Sequence, residues 1–109
     1  MNSSSRDPLD VATEAVATLS KYLELSLDKG KSLILVLSQR ENCQVYLGDP
    51  GEPDADWTSC AAIQNTVVRA LLEATRSGLN QLIIEGQSYR FVRTFAQVAE
   101  HGAVVFTPA

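Results

Sequence analysis

The chain is 109 residues long, 45% hydrophobic and 20% charged, and carries a formal net charge of −4. That length allows one hydrophobic core, and that balance of residue types excludes a disordered or collagen-like chain. Acidity is concentrated in the first half, where residues 1–56 hold ten acidic and five basic side chains against three and four in residues 57–109; a basic face for nucleic acid or for an anionic membrane surface is therefore not expected.

Residues 1–6 read as a flexible polar lead-in, with no apolar stretch after Arg6 of the kind a secretory signal needs. A single domain is expected over 7–109. Asp7 offers an N-cap oxygen, Pro8 suits the first helical position and Asp10 puts negative charge in the first turn. Leu9, Ala12, Val16, Leu19, Leu23 and Leu27 then recur every three or four residues, which predicts an amphipathic helix from Pro8 to Leu27 ending near Lys29-Gly30.

Leu33 to Leu37 is an unbroken apolar run, as in a strand covered on both faces. After a turn at Gln39–Asn42, Cys43 to Leu47 alternates, with Cys43, Val45 and Leu47 on one side and Gln44 and Tyr46 on the other, as a half-exposed edge strand does. Gly48 to Asp56 holds four acids, two prolines and no basic residue, and reads as a surface loop. A second helix is expected from a cap at Asp56, with Cys60, Ile63, Val67, Leu71 and Ala74 as its apolar stripe and Arg76-Ser77-Gly78 at its end. Three strands close the chain, Gln81–Glu85, Tyr89–Val98 and Ala103–Thr107, joined by turns at Gly86-Gln87 and Glu100-His101-Gly102.

The expected fold is thus α+β, helix-β-β-helix-β-β-β in two layers. Placing the most apolar strands centrally gives a five-stranded antiparallel sheet of order 2-1-5-4-3.

This arrangement resembles the profilin-like folds, and among them the roadblock / dynein light-chain domains. The resemblance rests on Leu33-Ile34-Leu35-Val36-Leu37-Ser38 with its turn, Val67-Val68-Arg69-Ala70-Leu71-Leu72, Leu82-Ile83-Ile84-Glu85-Gly86-Gln87 and Gly102-Ala103-Val104-Val105-Phe106. It implies a small non-catalytic platform, typically a dimer joined through the long helix and the third strand, that regulates or anchors small GTPases or motor complexes. The chain departs from the pattern in having no helix after Thr107.

The residues with chemical potential lead to modest expectations. Gly30-Lys31-Ser32 shares the tail of a phosphate-binding loop, but Leu25 stands where the first glycine belongs and a strand follows where a helix should start. His101 is the sole histidine and is expected exposed in a turn, without metal partners. Cys60, in the first turn of the expected helix, has the setting of a low-pKa thiol but lies on the apolar stripe; Cys43 is expected in the core. With two cysteines a disulfide framework is not expected, and the compartment is expected to be the cytosol. Asp49, Glu52, Asp54 and Asp56 lack calcium-loop spacing and read first as a solvated loop, with a docking surface for a basic partner as the second reading; Trp57 beside them is either an anchor for that partner or a pin that holds the loop to the core. Arg90 and Arg93 fall on opposite faces of one strand, Arg93 with Tyr89, Phe91 and Phe95.

With no nucleophile, base and orienting group in one place, no enzymatic activity and no cofactor are expected. The expected role is a protein–protein interaction module, an adaptor or regulator. It is expected to work as a homodimer, because Leu82-Ile83-Ile84 forms an apolar edge. Trp57, Tyr46, Asp54, Asp56, Leu82, Ile83 and Ile84 are the candidate partner-binding residues. A small-molecule sensor with a pocket between sheet and helix, and a secretion chaperone for an unfolded client, are the alternatives.

Overall fold

A computed structural model describes residues 8–38, 40–98 and 100–109; the expected cap at Asp7 and the lead-in 1–6 lie outside it. Helix α1 spans Pro8–Lys29 and packs Ala15, Leu19, Tyr22 and Leu23 onto the sheet. It stops where Gly30 takes φ 66°, with the Gly30 amide donating to the Leu27 carbonyl and the Lys31 amide to Ser26. These are the two bonds of a Schellman cap, and they satisfy carbonyls the helix itself leaves free.

Strand β1 (Ser32–Val36) pairs antiparallel with β2 (Asn42–Gly48) on one side and with β7 (His101–Pro108) on the other. Leu33, Ile34 and Leu35 face Phe106, Val105 and Val104 in register, and all six are buried. These are the two central strands the apolar runs predict. Leu33, Leu35, Val104 and Phe106 point into the main core under the helices, while Ile34, Ala103 and Val105 form a second small core on the opposite face. Burying each of the Leu, Ile, Val and Phe side chains contributes about 1.5–3 kcal/mol, so both faces favour this placement.

The second helix is much shorter than expected. Asp54–Asp56 is a single 3-10 turn, Thr58–Ser59 (β3) pairs with Tyr46 and Leu47, Ile63–Gln64 (β4) pairs with Asn42 and Cys43, and only then does α2 run from Asn65 to Ala74. The Cys60 amide donates to the Val45 carbonyl at 2.8 Å. Backbone pairing with β2 thus claims residues whose spacing also suits a helix, and long-range pairing overrides the local period. The start of α2 is held from outside: Asn65 Nδ2 donates to the carbonyls of Ser38 and Arg40, and its amide to Glu41.

Strand β5 (Gly78–Ile84) turns at Glu85-Gly86 into β6 (Gln87–Val98), which pairs with β7. The fold is α+β, with both helices against one face of a single antiparallel sheet. The expected five-stranded order 2-1-5-4-3 is corrected to seven strands, β3-β2-β1-β7-β6-β5 with β4 also on β2. The strand Cys43–Leu47 is accordingly not an edge, because β3 and β4 lie beyond it. No helix is long and apolar enough to cross a membrane among the described residues.

Candidate functional site

Two surfaces combine exposed apolar groups with free or acidic polar ones. The first is the β5 edge. Ile84 and Gln87 flank a two-residue turn in which Glu85 and Gly86 both have positive φ, 52° and 80°, the signature of a type I′ hairpin. The flanking pair of such a turn is hydrogen-bonded, so the even residues of β5 bond to β6 and the odd ones, Leu79, Gln81 and Ile83, turn N–H and C=O outward. Two contacts agree with this parity: Arg76 Nε donates to the Leu79 carbonyl at 3.3 Å, and on β6 the Arg90 carbonyl faces the other way, accepting from Ala109.

The side chains of the same odd residues lie on the sheet face away from the helices, where Ile83 is 75% and Leu79 46% exposed. The expectation for Leu82-Ile83-Ile84 is corrected here. Ile84 is buried in the main core and Leu82 is half-buried against it, because alternation sends them beneath α1; Ile83 alone of the three is free for a partner.

The second surface lies on that helix-free face. Trp57 packs over it, its ring centroid 5.8 Å from that of Tyr46, and its indole N–H donates to the Asp49 carbonyl at 2.9 Å. The close approach requires Gly48, since a Cβ there would lie 2.2 Å from Trp57 Cδ1. Between Trp57 and the sheet is a groove of about 360 Å³ floored by Ile34 and Val105, walled by Ala96 and Val98 and by Pro50, with Glu52 and Gln97 at its rim. Trp57, Tyr46 and the acidic loop therefore do come together. Asp56 is exposed at the end of that loop, and the side chain of Asp54 lies outside the described ones.

Other candidates separate. Cys60 sits not on a helix but beside β3, half-buried, and burial pushes its thiol up. Cys43 is fully buried, as expected, its thiol pushed up to about 11 by loss of solvent. Neither has the lowered pKa of a nucleophile. Gly30-Lys31-Ser32 is the helix stop and the entry to β1. His101 is exposed, at the start of β7 instead of in a turn. Arg76 does not end α2. That role falls to Arg93, whose Nη1 donates to the carbonyls of Leu72 and Thr75 and to Thr75 Oγ1, placing a guanidinium at the negative end of the helix. The alternation that put Arg93 on the face of Tyr89 and Phe91 already implied that it needed such acceptors.

Comparison with family models, with curated proteins and with solved structures finds no match to this chain.

Proposed function

We propose that this chain is a non-catalytic, cytosolic protein-interaction module, an adaptor or regulator that works as a homodimer through the β5 edge. The observation that carries the reading is the combination of outward backbone groups and exposed apolar side chains on Leu79 and Ile83. The strand Gly78–Ile84 contains no charge, so nothing on it repels a second copy or blunts the edge in the way that lysine or proline does.

The arithmetic of the edge is self-complementary. An antiparallel pair centred on Gln81 sets Leu79 opposite Ile83 of the partner subunit and Ile83 opposite Leu79 of the partner subunit, and these are the residues whose N–H and C=O point away from β6, with Arg76 Nε on the Leu79 carbonyl. Arg76 would release the Leu79 carbonyl on pairing. With the two-residue strands β3 and β4 set aside, the order helix, two strands, helix, three strands is the one that the roadblock-like resemblance rests on, and that resemblance implies a dimer joined through the long helix and the third strand.

Light scattering across a concentration series tests the dimer. The expected result is a two-chain mass for the wild type and a single-chain mass for Ile83→Lys with unchanged circular dichroism. A single-chain mass for the wild type throughout would sink the reading. Affinity capture with the wild type and Trp57→Ala then tests for a protein partner.

A further inference from the structure

The groove beneath Trp57 has an apolar lining and one carboxylate, Glu52, at its rim. Ile34 and Val105, 0% and 1% exposed, underlie it, and the half-buried Ala96, Val98 and Trp57 present its apolar surface, the indole supplying a π-face. The loop that makes the outer wall carries Asp49, Glu52, Asp54 and Asp56 without a basic residue among 48–56. Glu52 does have one cation nearby, Lys31 Nζ at 3.8 Å, but both side chains are about half exposed, and such a pair contributes little and exchanges readily.

We propose that this groove receives an arginine- or lysine-bearing, otherwise apolar segment of a protein partner. The aliphatic stem lies along the half-buried Ala96 and Val98. The cation meets the Trp57 indole and the Glu52 carboxylate, displacing Lys31. Arginine suits the site best, because its planar head stacks on an aromatic ring and pairs bidentately with a carboxylate. Net charge supports the choice: at −4 overall, with the excess in the half that holds this loop, the chain attracts basic segments and repels acidic ones. The inference rests on the reading of the chain as a protein-binding module and names the chemistry of its partner.

Trp57 is the sole tryptophan, so selectively excited tryptophan emission reports on this site alone. Three probes are titrated into the full chain: the peptide acetyl-Val-Arg-Val-Arg-Val-amide and its counterparts with glutamine or glutamate in place of arginine. The expected result is a saturable change with the arginine peptide only. It weakens about fivefold in Glu52→Gln, the size of one partly exposed charge contact, and is lost in Ala96→Phe, which fills the groove without touching its charge. Because Glu52 lies at the rim, Glu52→Gln keeps the test informative if Ala96→Phe does not fold.

An equal response to the three peptides, or none, would overturn the proposal. Arginine amide binding as tightly as the peptide would overturn it as well, making the site one for a small cation. A two-chain mass without a peptide response removes the groove and leaves the dimer standing; a single-chain mass with a saturable response does the reverse.

Discussion

Tyr89 Oη donates a hydrogen bond to Glu24 Oε2 at 2.6 Å, joining β6 to α1 across 65 residues of sequence. The ring is buried and the bond itself is part-buried. The bond holds the Tyr89 hydroxyl above the ordinary tyrosine value of 10.0, with burial and the charges of Glu24 and Glu85 adding in the same direction. As pH rises past 10.0 the unfolded chain ionises first while the folded one keeps its proton, so this contribution is present below pH 10.0 and is lost as pH climbs through the folded value. Tyr89→Phe is expected to lower the urea midpoint at pH 7 and to remove one tyrosine that titrates above 10.0 from an ultraviolet titration.

Cys43 makes a second alkaline prediction. Its thiol rises from 9.0 to about 11 on burial, so stability falls between those two values, by about 2 to 3 kcal/mol for a shift of this size. Denaturant melts at pH 8 and pH 11 measure the loss, and Cys43→Val, which has no proton to lose, should show a smaller one. In the native state at pH 8 a thiol reagent should label Cys60 well before Cys43.

Gly48→Ala tests the seat of Trp57. Its Cβ would lie 2.2 Å from indole Cδ1 and 2.7 Å from Cγ, so the ring must move, at an expected cost of about 1–3 kcal/mol. Tryptophan emission should shift to the red as the indole leaves the Asp49 carbonyl. In Trp57→Ala the same glycine replacement should cost much less, and that double-mutant cycle is the decisive measurement.

Glu85 has the opposite prospect. Among the described residues it is the sole non-glycine with positive φ, a conformation costing most L-residues about 1–2 kcal/mol and asparagine less. Glu85→Asn restores the Asn-Gly pair that type I′ turns favour and should raise stability by about 1 kcal/mol, read as a higher urea midpoint with an unchanged slope.

Legibility followed the range of the forces involved. The central strands were visible because Leu33–Leu37 and Ala103–Phe106 are apolar at consecutive positions, which few environments other than a doubly covered strand permit. The stop of α1 was visible because Gly30 follows a long period-3.6 stretch. Residues 57–64 were misread because Cys60, Ile63 and Val67 keep helical spacing, while the bonds that extend this stretch run to Val45 and Cys43, well over a dozen residues back. At the edge, alternation applied to Leu82, Ile83 and Ile84 would have singled out Ile83. The groove was legible only as a neighbourhood: Trp57 beside four acids could be read, but not that Gly48 lets the indole lie down on the sheet.

The two borders of the sheet are unequal. One ends in β3, two residues long, and the other in β5, seven residues long. A fibre growing head to tail would have to lay the long border of each copy on the short border of the next, where two residues leave most of the donor groups in water. Stacking without limit is therefore blocked by geometry alone, and a mutation that lengthened β3 would be the one to watch for filaments.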